Sequence, residues 1–421
     1  MFESIIIFIL VFGLLVFIHE LGHFYFAKRA GILVREFAIG FGPKLLSVKK
    51  GETAYTVRLL PLGGYVMMAG YEEEEDLRPG MQVNLTIEED LVTAIDLTND
   101  PSSKQGVMMQ VTDFDLEKDL YIKGMVFDQP EESMFRVSKT ATINNEDGVI
   151  MQIAPLDRQF NNAPLIDRIL TNFAGPLNNF ILAIITFMIV AFLQGGVFSN
   201  QSLVGEVQPN TPASESGLQA GDEITAINGK KIDSWVDMSQ TIAENVDQEM
   251  TVDVNRGDEQ LQVEMTPELT TLEDGTEYAR IGVVRHIDRS ISGILTYGFT
   301  ETWAVVALIF EALGSMITGR TGVDQLGGPL AVFAVTDSVV QTSGLVGVLG
   351  LLGTLSANLG LVNLIPIPGL DGGKLLLNVV EGIRGKKLSQ EKEIVITLIG
   401  AGFLILLMLV VTWNDIQQFF F

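Results

Sequence analysis

The sequence predicts a polytopic α-helical membrane protein with four transmembrane helices, a membrane-associated β-hairpin and an extracytoplasmic α+β domain. Three observations support this fold class. Apolar residues are concentrated in a few runs of about 20 residues, a length that crosses the hydrocarbon core of a bilayer as a helix. The mean hydropathy of +0.33 is high for a chain with 52 acidic residues. Those acidic residues lie between the apolar runs, as expected for soluble segments inserted between spans.

Composition excludes several kinds of site. The 421 residues include no cysteine, so the chain has neither disulfides nor thiolate metal ligands. The net charge of −25 argues against a nucleic-acid partner. A metal site must therefore use nitrogen and oxygen donors, and the chain has only three histidines, His19, His23 and His286. His286 stands alone in a polar stretch, and we predict that it is solvated rather than metal-bound.

The first predicted span, residues 1–28, contains the motif H-E-x-x-H at His19, Glu20 and His23. Positions i and i+4 share one face of a helix, so the two imidazoles can bind one ion with Glu20 beside them. Such side chains are costly within a membrane-length helix, which makes them candidates for a functional site. The pattern is typical of a zinc hydrolase, with His19 and His23 as ligands and Glu20 as general base.

Residues 29–71 are predicted to lie on the cytoplasmic side, because Lys28 and Arg29 begin a run of basic residues. Pro61 and the pair Gly63-Gly64 separate two β-prone pieces and predict a hairpin. This hairpin is too apolar for a free surface loop, so we expect it to enter the membrane beside the metal. Its open edge could pair with an unwound substrate segment, which makes Gly63 and Gly64 candidate substrate-binding residues.

The next two segments are an acidic insertion and the second span. Residues 72–160 are predicted to form a small, partly flexible cytoplasmic insertion whose charges are solvated. The span at 165–198 contains, in its first half, the stretch Phe173-Ala-Gly-Pro-Leu-Asn-Asn-Phe180. The spacing of Gly175 and Asn179 allows close helix approach and a buried hydrogen bond. Asn179 is a candidate substrate-binding residue, with ordinary helix packing as an equally weighted alternative.

Residues 200–285 form the predicted extracytoplasmic domain. The run from Gly217-Leu218 through Asn228-Gly229 to Ile232 resembles the signature of PDZ domains, which bind peptide ends by strand addition. Residues 286–344 are predicted to be an extracytoplasmic linker with an amphipathic helix at Trp303–Ile317. The third span is predicted at 345–373, a basic cytoplasmic loop at 374–393 and the fourth span at 394–413.

The third span ends in the stretch Asn363-Leu-Ile-Pro-Ile-Pro-Gly-Leu-Asp-Gly-Gly373. Pro366 and Pro368 should break the helix within the membrane, where irregular backbone is tolerated only beside protein or a polar cavity. Asp371 is then delivered to the depth of His19 and is the best candidate for a third metal ligand. Asn363 could hold the substrate backbone or the developing oxyanion, or it could cap the broken helix end.

Taken in this order, the motifs resemble those of the site-2 protease family of intramembrane zinc metalloproteases, in the branch that includes RseP, Eep and RasP. The resemblance implies a Zn²⁺ cofactor held by His19, His23 and Asp371, with Glu20 catalytic and Asn363 in contact with substrate. It implies cleavage within transmembrane helices that another protease has already trimmed, such as anti-sigma factors and signal-peptide remnants. The single PDZ unit favours the Gram-positive members.

Two other functions fit parts of the pattern. A non-catalytic membrane adaptor would use the PDZ unit to bind partner tails, but it would not need metal ligands at membrane depth. A membrane metal transporter would use His19, His23 and Asp371 as a transit site, but it would need neither Glu20 nor a PDZ unit. Zinc stoichiometry separates the adaptor from the protease, and metal uptake separates the transporter from it.

Overall fold

The structure is a computed structural model that describes residues 2–70, 77–98, 106–127, 129, 131–146, 148–271, 277–322 and 327–420. The chain divides into two compact units. The first unit comprises Met1–Ala183 and Ala304–Phe421, and the second comprises Ile184–Trp303. Each unit is described separately below.

Five helices in the described residues are long and apolar enough to cross a membrane. They are α1 (Phe2–Arg29), α2 (Leu165–Leu193), α5 (Ile291–Ile317), α7 (Gly344–Leu364) and α9 (Gln390–Phe420). Four of them coincide with the apolar runs recognised in the sequence. The fifth, α5, begins at Ile291 rather than at Trp303, because the polar residues before Trp303 interrupt the apolar pattern without breaking the helix.

Strands β1 (Val34–Lys50) and β2 (Thr53–Met68) form an antiparallel sheet beside α1. Each strand bends, so that residues 36–39 of β1 pair with both 54–57 and 64–67 of β2. The hairpin predicted around Gly63-Gly64 is therefore wrong, because the chain turns at 51–52 and both β-prone pieces belong to β2. The sheet therefore has four segments, in the order 44–50, 53–58, 34–39 and 64–68. Within the described residues, segment 64–68 pairs on one side only and forms an open edge.

Six further strands lie between this sheet and α2. They are β3 (Gln82–Glu88), β4 (Leu91–Asp96), β5 (Val107–Asp115), β6 (Tyr121–Val126), β7 (Glu132–Asn144) and β8 (Ile150–Gln152). Their order is β4-β3-β5-β6-β7-β8, and β7 also pairs in parallel with β4, which closes the sheet into a barrel. Leu85, Ile95 and Ile122 are fully buried inside it.

The insertion predicted at 72–160 is built around this barrel. Its strands alternate buried apolar and exposed polar residues, as in β3, so the acidic residues lie outside a closed core. The abundance of charge concealed this alternation. The acidic run at 72–76 lies outside the described residues.

The remaining helices of the first unit are α6 (Pro329–Thr342) and α8 (Asp371–Arg384). The chain breaks between α7 and α8, as the prolines at 366 and 368 predict, and Gly369 adopts a φ of +100° there. A Cβ on Gly372 would lie 2.3 Å from the Leu364 carbonyl oxygen. Glycine at this position therefore lets α8 start directly against the end of α7, which fixes where Asp371 begins α8.

The second unit contains a small α+β domain. Its four-stranded sheet has the order β12 (Lys230–Lys231), β11 (Glu223–Ile227), β13 (Met250–Arg256), β14 (Glu259–Met265). Short pairs are formed by β10 (Val204–Val207) with β17 (Val283–Arg285), β15 (Glu268–Thr271) with β16 (Glu277–Arg280), and β9 (Val197–Phe198) with β18 (Ile287–Asp288). Helices α3 (Pro212–Glu215) and α4 (Trp235–Glu244) complete it.

Two features of the sequence explain the geometry of this domain. Asn228 and Gly229 both have positive φ, which a tight hairpin turn between β11 and β12 requires. Asp222 is fully buried and accepts hydrogen bonds from the guanidinium of Arg256 at 2.7 and 2.8 Å. Burial alone would raise the pKa of the Asp222 carboxyl, but the hydrogen bonds and charge of Arg256, together with the hydrogen bond from the Gln219 amide, outweigh it and the pKa is lowered.

Candidate metal centre and substrate cavity

Three ligand-type atoms from the two ends of the chain converge in the first unit. His19 Nε2 lies 3.1 Å from Asp371 Oδ2 and 3.2 Å from His23 Nε2. His23 Nε2 lies 3.3 Å from the same carboxylate oxygen. Both histidines are buried, and they project from one face of α1 because they are four residues apart. Asp371 is the first residue of α8.

The spacing and chemistry of these donors fit a zinc ion. Zinc binds imidazole nitrogen and carboxylate oxygen at about 2.0–2.1 Å, so the corners of a tetrahedron around it lie about 3.3 Å apart. The three observed separations, 3.1, 3.2 and 3.3 Å, match one triangular face of such a tetrahedron. Catalytic zinc sites have three protein ligands and keep the fourth corner for water or substrate.

Helix α2 supplies the outer hydrogen bonds of the two imidazoles. His23 Nδ1 donates to the carbonyl oxygen of Thr171 at 2.7 Å, which leaves the lone pair of Nε2 free for a metal. His19 Nδ1 lies 3.2 Å from the side-chain amide of Asn179. In the described residues, the other end of that amide, Oδ1, is buried without a hydrogen-bond partner.

The position of Asn179 corrects its predicted contact with substrate. The residue is 0% exposed and lies behind His19, and it does not line the cavity described below. Its backbone carbonyl accepts a hydrogen bond from Ser356 Oγ of α7 at 2.7 Å. The spacing from Gly175 to Asn179 therefore serves helix packing and the surroundings of His19.

Close approach of α1 and α2 depends on two glycines. A Cβ on Gly175 would lie 2.2 Å from His23 Nε2, and one on Gly22 would lie 2.3 Å from the Ala174 carbonyl oxygen. No side chain fits at either position without moving the imidazole or the backbone. Position 175 therefore needs glycine because its backbone lies directly against the His23 imidazole.

A cavity of about 430 Å³ adjoins the three donors. Its wall includes Glu20 and the predicted substrate residues Gly63, Gly64 and Asn363. A Cβ on Gly64 would lie 3.0 Å from Glu20 Cγ and 2.6 Å from the Ala38 carbonyl oxygen. Glycine therefore allows the open edge of the β1–β2 sheet to lie directly against Glu20.

Three polar residues of the cavity wall were not predicted from the sequence: Tyr65, Asn172 and Lys374. Lys374 is three residues after Asp371, so helical spacing in α8 could have placed it on the same face. Tyr65 follows the Gly63-Gly64 pair directly, and its hydroxyl accepts a hydrogen bond from Arg58 at 2.6 Å. Asn172 is buried in the first half of α2, and no local pattern distinguishes it from a packing residue.

Comparison with known proteins identifies the family. The profile of peptidase family M50 matches residues 7–407. This chain belongs to peptidase family M50. Membership makes it a site-2 type enzyme, an intramembrane zinc metalloprotease with zinc as its cofactor. The proteolytic prediction is confirmed, as is the prediction of a multi-pass membrane protein.

Full-length relatives come from Gram-positive bacteria. The chain is 47% identical to a probable protease Eep of Enterococcus faecalis, with 100% of both chains covered. It is 44% identical to the regulator of sigma-W protease RasP of Bacillus subtilis, with 99% of both covered. It is 41% identical to a putative zinc metalloprotease of Lactococcus lactis, with 100% of both covered.

Among solved structures, the PDZ domain of an SdrC-like protein from Listeria monocytogenes is similar to part of the chain. The match is 26% identical and covers 21% of this chain and 90% of that one, with a TM-score of 0.18.

Proposed function

We propose that His19, His23 and Asp371 hold the catalytic zinc and that Glu20 is the general base for hydrolysis of peptide bonds within transmembrane segments. One observation carries this assignment. Donor atoms from α1 and α8, 352 residues apart in the sequence, lie 3.1–3.3 Å from one another beside Glu20 in a single cavity.

The chemistry follows from the residues around the cavity. Bound zinc supplies a Lewis acid that polarises the scissile carbonyl and acidifies water. Glu20, next to His19 on α1, takes the proton from the attacking water and returns it to the leaving amine. Thr171 holds the His23 ring in the orientation that presents Nε2. Burial of these groups excludes bulk water and strengthens each electrostatic interaction.

Substrate binding uses the open edge of the β1–β2 sheet. A helix hides its scissile carbonyls in its own hydrogen bonds, so the substrate must unwind before hydrolysis. Residues Gly64–Met68 can pair with the unwound segment by strand addition, which places its backbone along the cavity wall. Asn363, on the same wall, holds the substrate backbone or the developing oxyanion.

Asn179 orients the His19 ring and determines which of its two nitrogens carries the proton. Rotating the amide by half a turn exchanges its nitrogen and oxygen, so the unpartnered Oδ1 would accept a hydrogen bond from His19 Nδ1–H. His19 Nε2 then keeps its lone pair for the metal. Asn179→Leu is therefore expected to weaken zinc binding by about 10- to 100-fold, measured by competition with a chelator. An unchanged zinc affinity would contradict this role.

Four helices, α1, α2, α7 and α9, span the bilayer in the proposed topology. Two contacts support placing α6 at the outer end of the bundle: Ser4 of α1 donates to Asp337, and Asp415 of α9 accepts from the Gly328 and Leu330 amides at 2.9 and 3.1 Å. A spanning α5 would have to recross the membrane before α7. The 14 residues of α6 are too few for that, since a span needs about 20.

In this topology both termini and the predicted PDZ domain are extracytoplasmic, and the active site lies nearer the cytoplasmic side. The relative from Bacillus subtilis is named a regulator of sigma-W protease. We therefore assign anti-sigma factors and signal-peptide remnants, trimmed by another protease, as the substrate class. The predicted PDZ domain at 200–285 binds a peptide end or screens bulky ectodomains from the cavity.

The variant Glu20→Gln tests the catalytic assignment. It removes the base without removing a metal ligand, so purified protein should keep its zinc while cleavage of a reporter transmembrane substrate falls by about a thousandfold. Glu3→Gln changes the same residue type in α1 at a position outside the cavity wall, and it should cleave normally. Cleavage by Glu20→Gln at the wild-type rate would rule out Glu20 as the base.

A further inference from the structure

A second cavity, of about 210 Å³, lies between the first turn of α2, the later turns of α8 and the loop after α8. Its charged lining consists of Arg168, Lys387, Glu381 and Glu393, and Asn378 contributes a carboxamide. None of these residues lines the catalytic cavity. The chemistry proposed above makes no use of them, so their convergence needs a separate explanation.

Some hydrogen-bond donors of this cavity have no acceptor among the described residues of the protein. The Arg168 guanidinium is buried, donating from Nη2 to Glu381 at 2.5 Å and from Nε to the Ala163 carbonyl at 3.2 Å. Across the described residues, its Nη1 has no further hydrogen-bond partner in the protein. Asn378 is only 6% exposed, and its amide nitrogen is also without a partner. A buried donor such as the Asn378 amide nitrogen costs free energy unless a ligand accepts from it.

Among the described residues, Lys387 is the cation of this cavity that forms no ion pair. Glu381 forms an ion pair with Arg168, while the Lys387 ammonium bonds, within the part of the chain that the structure describes, only to the neutral Asn161 carbonyl. Burial lowers the pKa of Lys387, and the nearby Arg168 lowers it further, against the opposing effects of Glu381 and Glu393. The Lys387 amine is thus a partly desolvated cation that Arg168 also repels. A bound anion would relieve that repulsion.

The surroundings favour a lipid as the source of the anion. Leu377 and Leu388 add apolar surface to the lining, as an acyl-glycerol ligand requires. Arg384, Lys386 and Lys392 are exposed around the cavity and add positive charge. In the topology of the proposed function this is the cytoplasmic end of the bundle, where basic pockets between membrane helices bind anionic headgroups.

We propose that this cavity binds the phosphate group of an anionic phospholipid through Arg168, Asn378 and Lys387. The location in the membrane rests on the proposed topology, whereas the donor set does not. Helix α8 carries Asp371 at its first residue and Asn378 two turns later, so a bound headgroup also anchors the helix that delivers the third metal donor.

The test uses the full-length protein purified in detergent and exposed to phosphatidylglycerol or phosphatidylcholine. Native mass spectrometry counts the lipid molecules retained. Lys387→Gln should lower retention of phosphatidylglycerol about tenfold, because a charge-assisted hydrogen bond to phosphate is lost. Lys386→Gln removes the same charge from the neighbouring position outside the lining, so it should change retention less than about twofold. Asn378→Leu tests the buried donor independently.

A parallel arm replaces lipid with inorganic phosphate and follows thermal stability. Stabilisation by phosphate that Lys387→Gln abolishes, without preference for phosphatidylglycerol, would support the phosphate site and assign it to a free anion. Equal lipid retention by the Lys386→Gln and Lys387→Gln proteins, with no effect of phosphate on either, would overturn the proposal. Zinc content, measured on every variant, reports on the catalytic centre separately from this cavity.

Discussion

Two β-rich regions lie between α1 and α2, and they differ in whether their large apolar side chains are buried or exposed. The barrel formed by β3–β8 closes on itself and buries Leu85, Ile95, Met109 and Ile122 almost completely. The β1–β2 sheet stays open along segment 64–68 and exposes a series of large apolar side chains. They include Phe41, Leu45, Leu46, Leu59 and Leu60.

The difference shows what surroundings each region requires. A closed barrel leaves little strand edge free and is suited to water. An open apolar sheet would aggregate in water, but it suits a bilayer and leaves one edge free to receive another strand. That free edge lies directly against Glu20. We infer that the open sheet binds substrate and that the closed barrel is a soluble domain. The two regions have different roles although they are consecutive in the sequence.

Within this comparison, the largest effect is expected from adding a side chain where the sheet edge contacts Glu20. Gly64→Val puts a branched side chain where a Cβ would already lie 2.6 Å from the Ala38 carbonyl and 2.8 Å from Val16 Cγ1. The sheet edge must then move away from Glu20, and misplacement of about 1 Å costs about 100-fold in rate. Cleavage of a reporter substrate should fall by at least about that factor while zinc is retained.

A matched substitution in the barrel sharpens the comparison. Gly124 on β6 is equally crowded, since its Cβ would lie 2.1 Å from the Gln110 carbonyl oxygen. Gly124→Val should therefore destabilise the barrel by about 3 kcal/mol and speed hydrogen exchange across β5 and β6. Zinc content and cleavage should stay near wild type. If Gly124→Val abolished cleavage as Gly64→Val does, the division of roles between the two sheets would be wrong.

A smaller effect separates the exposed surfaces of the two regions. Leu59 in the open sheet is 53% exposed and Met134 on the barrel is 61% exposed, so the two side chains begin with similar solvent access. If Leu59 faces lipid, Leu59→Asp costs about 3 kcal/mol and lowers cleavage in vesicles about tenfold. Met134→Asp on a water-facing barrel should change cleavage less than about twofold. Equal effects of the two variants would argue against a membrane-associated sheet.

Sequence reasoning succeeded where local chemistry determines geometry. The spacing of His19 and His23 places both on one helical face, and Pro366 and Pro368 break the chain just before Asp371. In each case a few neighbouring residues specify the backbone, so no knowledge of distant partners was needed.

Features that depend on distant contacts were beyond sequence reasoning. The barrel closes through parallel pairing of β4 with β7, and no sequence pattern within either strand indicates this pairing. Asn179 was expected at the substrate, because its spacing from Gly175 shows that the helix packs closely but not which partner it meets. Lys387 and Arg168 are more than 200 residues apart in sequence, so only the fold shows that they share a cavity.

Zinc stoichiometry of purified variants tests the central claim most directly. Wild type and Glu20→Gln should each bind about one zinc ion per chain, because Glu20 is not a ligand. His19→Ala and Asp371→Ala should each lose the metal, since two remaining donors do not hold zinc against a competing chelator. Stoichiometric zinc in Asp371→Ala would contradict the assignment of a metal centre shared by α1 and α8.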